Sequence, residues 1–349
     1  MLKAIPQEGN VMIRKIRWGI LSTGGIAHAF AQAVQVSQTG VLAAVASRKE
    51  SSALEFARQY QIPYYYGSYG ELLRDPEVDA VYIAPPHPFH AEWAIEAAKN
   101  KKHILCEKPM TMTLRATDRV VEAARKNRVF LMEAFMYRCH PQTARLVELL
   151  RKKTVGEVKL IEAAFCFNRP FDLKHRLWNA KLGGGGILDI GCYPVSMARL
   201  LAGAATGKPF LNPEVVAGTA LIGQKSRVDE LAIASLRFPG GILAELCCGT
   251  GLARGVGVTV WGSKGKIHLP SPWHPGRWSK GLSTIEIQYY DKKKPNSLKV
   301  IERGNLYALE ADEVGRCLAK GLRESPRMSW ADSLSNIKTL EQWLIKAHA

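Results

Sequence analysis

Apolar residues in the first part of the chain fall in short runs, at 16–21, 41–46, 78–84, 103–106 and 129–132. Between them lie segments with apolar positions at helical spacing, 27–36, 52–60, 88–100 and 114–127. That alternation predicts parallel strands joined by crossover helices, a doubly wound sheet whose ligand sits beyond the carboxyl ends of the strands. Pro88 suits a first helical turn, where its missing N–H is not needed. After a helix over 141–152 the pattern changes to longer strand-like runs at 156–167, 231–238, 241–248, 255–261 and 284–290. With Pro239-Gly240-Gly241 as a turn signal, these predict hairpins in an antiparallel or mixed sheet. A helix over 190–201 interrupts them, and helical periodicity returns over 306–322 and 330–348. The segment 269–282, rich in Pro, Gly and Trp, reads as an ordered surface loop that could also line a pocket.

A length of 349 residues with 47% hydrophobic and 23% charged content favours two globular domains. No apolar stretch approaches the roughly 20 residues that cross a bilayer. The start, Met1 to Arg14, lacks the pattern of a signal peptide, so the expectation is a cytoplasmic protein with no membrane partner. The seven cysteines have no paired C-x-x-C spacing, which argues for free thiols over disulfides or structural zinc. A net charge of +17 raises a nucleic-acid partner, but the basic residues are dispersed and lack aromatic interleaving. What survives of the charge argument is a positive field that attracts an anionic cofactor.

The segment from Gly19 through Ser22-Thr23-Gly24-Gly25-Ile26-Ala27 follows a strand and opens a helix, so backbone N–H groups and the helix N-terminus can face a pyrophosphate. Against G-x-G-x-x-G/A, Ser22 replaces the first glycine, Gly24 keeps the second and Ala27 the third. This makes the first unit, 14–136, a Rossmann dinucleotide-binding domain. At the end of the second strand an NAD site usually carries a carboxylate for the ribose, and this chain has Ser47-Arg48 instead. The pair can bond a 2′-phosphate and favours NADP, with NAD possible. Arg48 could also be a plain surface charge, and Glu50 could shift in as a ribose ligand.

Lys108, in Glu107-Lys108-Pro109, follows the strand ending at 106 and projects from the carboxyl edge of the sheet, with Glu107 expected to position its ammonium. Asp189 and Tyr193 lie four residues apart after the glycines 183–186, on one helix face. For a tyrosine to act as a base near neutral pH its pKa must fall by roughly 2 to 3 units, about 3 to 4 kcal/mol. An ammonium at ~4 Å supplies about 4 kcal/mol at an effective dielectric near 20. The expected scheme is hydride transfer at a hydroxyl-bearing carbon, with Tyr193 taking the proton, Lys108 lowering its pKa and Asp189 orienting the hydroxyl. The scheme requires no metal. The bland alternative makes Tyr193 a buried aromatic and Asp189 a residue of the helix N-terminus.

These segments, with 133–141 and 183–194, resemble the glucose-fructose oxidoreductase, inositol dehydrogenase and rhizopine-catabolism (Gfo/Idh/MocA) family over nearly the whole chain. Within it they are similar to the branch of dimeric dihydrodiol dehydrogenases and NADP-dependent xylose dehydrogenases. The resemblance implies that Lys108 and Tyr193 are a catalytic pair, that Asp189 supports the substrate hydroxyl, and that Arg138, His140, Arg176 and Trp178 line the substrate pocket. Arg138 and His140 could equally hold the domain junction. It also implies that the second domain, 137–349, is α+β with a large open, mostly antiparallel sheet, and that this sheet makes homodimer or homotetramer contacts. Tyr193 stands where inositol dehydrogenases carry histidine, which turns the expectation toward a sugar, polyol or cyclic diol. Pro86-His87 stands where relatives often have asparagine, and Pro86, His87 and His90 are candidate cofactor contacts. Without acidic or cysteine companions the two histidines are not expected to bind metal. Three other classes stay open: a dinucleotide- or sugar-responsive regulator, a redox-neutral NAD-using glycosidase and, weakest, a basic nucleic-acid binder.

Overall fold

The computed structural model describes residues 15–348, so the reading of Met1 to Arg14 lies outside the described residues. The first unit alternates strands and helices: β1 (Ile16–Leu21), α1 (Gly25–Gln35), β2 (Gly40–Ala46), α2 (Glu50–Tyr60), β3 (Tyr64–Tyr66), α3 (Tyr69–Arg74), β4 (Ala80–Ile83), α4 (His90–Lys99), β5 (His103–Glu107), α5 (Leu114–Asn127) and β6 (Leu131–Ala134). The strands pair in parallel in the order β3-β2-β1-β4-β5-β6, the doubly wound arrangement. Strands β1, β4, β5 and β6 are buried almost throughout, which is why they read as continuous apolar runs. The periodicity misses β3 and α3, because three tyrosines at an exposed sheet edge carry neither an apolar run nor an alternation.

The second unit runs α6 (Met136–Cys139), α7 (Pro141–Arg151), β7 (Val158–Cys166), a π-helical turn (Ile187–Gly191), α8 (Cys192–Ala205), β8 (Val215–Ile222), β9 (Asp229–Arg237), β10 (Leu243–Gly249), β11 (Val256–Gly262), β12 (Gly265–Leu269), β13 (Leu282–Tyr289), β14 (Asn296–Ile301), α9 (Leu306–Ala319) and α10 (Trp330–Ala347). Its eight-stranded sheet has the order β14-β13-β12-β11-β7-β10-β9-β8 and is antiparallel except for β10 against β7. Gly240 and Gly241, at φ +82° and +83°, make the β9–β10 turn. Strands β8, β12 and β14 escape the sequence pattern. In β8, Gly218 breaks the run because Trp343 of α10 packs where a Cβ would stand, 2.6 Å away.

Helices α7, α8 and α10 cover one face of this sheet, and the apolar core continues from it into the first unit. The closing helices return to the parallel sheet's layer, α9 against α1 and α10 against α5. Asp312 of α9 accepts from the Ser37 hydroxyl and from the Thr39 amide and hydroxyl, pinning it to the α1–β2 loop. The stretch 180–205 is long and apolar enough to span a bilayer, against the sequence expectation, but 94% of its apolar window is buried inside the protein. It is a core helix.

Candidate active site

The glycine turn leaves β1 buried and enters α1 exposed. The N-cap residue Gly24 provides no side-chain cap, and a Cβ built at Gly25 meets nothing within 4 Å. The first turn of α1 thus has no side-chain cap and open space beside Gly25, as an anion site requires. Ser22, in the first glycine's place, holds φ +100°, a conformation suited to glycine. Ser47 and exposed Arg48 follow β2, while the Glu50 side chain lies against Gly67, with Cβ 3.4 Å from its built Cβ. Arg48 has no carboxylate partner among the described residues. The groups present fit a 2′-phosphorylated dinucleotide.

Lys108 leaves β5 at the carboxyl edge of the sheet. Its ammonium donates to the Asp189 carbonyl at 2.7 Å and lies 3.5 Å from Asp189 Oδ1. The same carboxylate oxygen accepts from Arg176 Nη1 at 2.9 Å and lies 3.7 Å from His87 Nε2. Residues from three distant parts of the chain thus converge on one buried carboxylate. Burial opposes ionisation of Asp189, yet Lys108 and Arg176 hold its pKa well below the usual carboxylate range. Burial alone would lower Lys108, but Asp189 keeps it above the ordinary lysine value. Burial pushes His87 well below the ordinary histidine range, so it faces Asp189 neutral.

Local structure explains the convergence. Gly185 at φ +108° would place a Cβ 2.2 Å from Asp229 Oδ1, and the Ile187 amide donates to Asp229 Oδ2 at 2.5 Å. This capped glycine turn starts a π-helical turn instead of the α-helix expected, and Asp189 sits in it. Its carbonyl is thereby shared between Lys108 Nζ and the Cys192 thiol. His90 is buried with Nε2 2.7 Å from the Pro85 carbonyl and Nδ1 3.0 Å from that of Pro109, bridging the loops that carry Pro86, His87 and Lys108.

Several expected roles need correction. Glu107 does not hold the ammonium: its carboxylate accepts from the Lys108 backbone amide at 3.2 Å and from the Tyr82 hydroxyl. Tyr193 presents its ring face to the Lys108 ammonium, 5.1 Å from the centroid, while its hydroxyl donates to Met136 Sδ at 3.4 Å. Burial drives its pKa well up, opposite to the lowering expected of a lysine neighbour. Arg138 pairs with Asp332 at 3.0 Å and bonds Ser196, and His140 caps α7 by accepting from the Gln142 amide. Both are held within the second unit, at its start, instead of reaching Asp189. Trp178 donates to the Pro170 carbonyl at 3.2 Å and packs on Phe171, bracing the loop that carries Arg176.

The sequence reading also missed an aromatic wall. Phe165 stacks on Trp273 at 5.8 Å, and both abut the Tyr193 ring, with Phe135 on its other side. Trp273 belongs to the Pro-, Gly- and Trp-rich segment whose composition hinted at a pocket lining; nothing marked Phe165 among other strand residues. Among the described residues no group of three or more His, Cys, Asp or Glu could hold a metal ion.

The description "Oxidoreductase family, NAD-binding Rossmann fold" matches residues 16–135, and "GFO/IDH/MocA C-terminal domain" matches 143–268. The chain belongs to the Gfo/Idh/MocA oxidoreductase family. It is 35% identical to the trans-1,2-dihydrobenzene-1,2-diol dehydrogenase of Danio rerio over 91% of this chain and 92% of that one. The mouse (Mus musculus) protein of the same name is 32% identical over 94% and 95%. A 3-ketoreductase from Actinomadura kijaniata, solved with NADP and TDP-benzene, superposes with a TM-score of 0.86 at 26% identity, covering 96% of this chain and 98% of that one. This family member is a nicotinamide-dependent oxidoreductase that moves hydride to or from a hydroxyl-bearing carbon.

Proposed function

We propose that the enzyme uses NADP to interconvert a secondary alcohol and its carbonyl on a sugar, polyol or cyclic diol, with Lys108 at the reacting oxygen. The observation that carries this reading is the meeting of Lys108 and Asp189, 81 positions apart, beyond the carboxyl edge of the parallel sheet. When bound there, the nicotinamide gives or takes the hydride. Ser22, Thr23, Gly24, Gly25 and Ile26 would hold the pyrophosphate, and Ser47 and Arg48 the 2′-phosphate, with Pro86 and His87 on the nicotinamide side. Lys108, kept charged by Asp189, stabilises the alkoxide that forms as the carbonyl is reduced. Tyr193, its pKa raised by burial, donates its proton in that direction, and the tyrosinate left behind is what takes the hydroxyl proton in the other. Arg176 and Asp189 offer a donor and an acceptor to substrate hydroxyls, and the Trp273–Phe165 wall an apolar face.

Nicotinamide absorbance should change when the protein meets NADP and pooled aldoses, polyols or cyclic diols, and Lys108→Met should lower turnover at least a hundredfold with NADP affinity retained. Equal turnover in the variant would defeat the assignment, and tight NADP binding without turnover on any pool would favour a regulator.

We divide the chain near 136, where the parallel sheet ends, into the cofactor unit 14–136 and the substrate and assembly unit 137–349. The uncovered sheet face displays Ile233, Leu243 and Trp261 among polar neighbours, which supports a homodimer or homotetramer through that face. Light scattering should give a mass of two or four chains, and Ile233→Lys should lower it. The free thiols suit a reducing compartment such as the cytoplasm.

A further inference from the structure

A cavity of about 420 Å³ opens between the two units, bounded by Ala29 and Gln32 of α1, by the loop from His274 to Gly281, and by the segment from Glu302 to Tyr307. Its size suits a substituted sugar. Three cations line it, Arg277, Lys280 and Arg303, and none is ion-paired among the described residues. The one carboxylate on the wall, Glu302, is engaged by the Gly304 amide at 2.8 Å. With three exposed cations against one carboxylate, the cavity mouth carries a net positive charge that draws anions.

The cavity adjoins the reaction centre. His274 follows Trp273, whose ring packs on Tyr193 at 5.7 Å, and the His274 ring lies 6.1 Å from that of Phe165. At the mouth, the Arg277 guanidinium lies 4.7 Å from the ring of Trp278, which is 83% exposed. The cavity touches α1 past its first turn, at Ala29 and Gln32, and its lining includes neither the Ser22 to Ile26 turn nor Ser47 and Arg48.

We infer that this cavity is an anion subsite of the substrate pocket: a phosphate or carboxylate on the sugar or diol sits among Arg277, Lys280 and Arg303 while its hydroxyl-bearing carbon reaches Lys108. The inference rests on the reaction proposed above and names the substrate class, an anionic sugar or diol.

Two measurements separate the subsite from the reaction. In the first, the NADP-saturated protein is titrated with inorganic phosphate and with acetate, followed by tryptophan fluorescence through Trp278. The Arg277→Gln/Arg303→Gln variant should bind at least one of these anions tenfold more weakly with NADP affinity unchanged, whereas Lys152→Gln/Lys153→Gln, the same charge change elsewhere, should bind as the parent does. Which anion responds tells a phosphate site from a carboxylate site. In the second, phosphorylated or carboxylated members of whichever alcohol class is turned over are compared with the neutral parent. KM should be at least tenfold lower for an anionic member, and the double variant should lose that advantage while keeping kcat on the neutral parent. Anion affinities equal in the double variant and the parent overturn the subsite, as does equal KM for neutral and charged members. Weakened NADP binding in that variant would overturn it too, assigning the cavity to the cofactor. Loss of turnover in Lys108→Met reads the reaction alone, so the two ideas fail separately.

Discussion

Lys108 is kept charged chiefly by one neighbour. Burial works against its ammonium and the Asp189 carboxylate overrides that, so its proton is held above the ordinary lysine range. Asp189→Asn removes the largest opposing charge and leaves burial and Arg176, which lower the lysine, against the smaller raising effect of Glu107. The alkaline limb of the pH dependence of kcat/KM should then move acidward by at least one unit, and a profile identical to the parent's would remove Lys108 from the chemistry. Ser22 illustrates a second residue-scale effect: at φ +100° a side chain is strained where glycine is not. Ser22→Gly should raise stability by about 1 kcal/mol in urea unfolding of the cofactor-free protein. The spacing of Asp189 and Tyr193 was legible in the sequence. The direction of the Tyr193 hydroxyl was not, because it depends on Met136 and on three aromatic rings from separate segments.

The element that matters most is the glycine turn feeding the π-helical turn. Its four glycines are visible in the sequence, but the reason for Gly185 lies far along the chain in Asp229, which fills the space beside it and accepts from the Ile187 amide 42 positions before it. Gly185→Ala would combine a forbidden φ with a 2.2 Å contact, and a loss of about 2 kcal/mol or more, with turnover falling alongside, is expected from unfolding and rate measurements. Asp229 is buried with its pKa pushed up to about 7, and burial raises Glu133 to about 7 as well. Between the ordinary values of 3.8 and 4.5 and pH 7 the native state binds more protons at these sites than the unfolded chain. Their contribution to stability is therefore full at low pH and declines as pH rises toward 7. Glu133→Gln should flatten this part of the stability profile, and an unchanged slope would show that Glu133 titrates normally.

At the scale of the molecule the two units share one core, and the second encloses a buried charge cluster. Asp332 of α10 receives Arg199 of α8 and, at 3.0 Å, Arg138 of α6, and Arg199 also donates to Asn212 Oδ1 at 2.9 Å. Asp332→Ala strands two buried guanidiniums and should cost about 3 to 5 kcal/mol, seen as a large fall in the urea midpoint. A change under 1 kcal/mol would mean that water reaches the cluster. This role for Arg138 explains why a conspicuous arginine in a family-like segment is absent from the Lys108 cluster.

The sequence by itself determined the doubly wound half, the glycine turn, the Ser47-Arg48 pair at the end of β2, and the identities of Lys108, Asp189 and Tyr193. These are local properties: apolar periodicity sets strands and helices, and a turn or strand end places its own residues. Tertiary structure alone decided which carboxylate holds the lysine, how Tyr193 is aimed, that Arg138 is held by Asp332 and Ser196, and that Arg277, Lys280 and Arg303 surround one cavity. Each of those depends on contacts between segments tens to hundreds of residues apart, where burial and the nearest charge set ionisation and orientation, and no period or spacing along the chain encodes that distance.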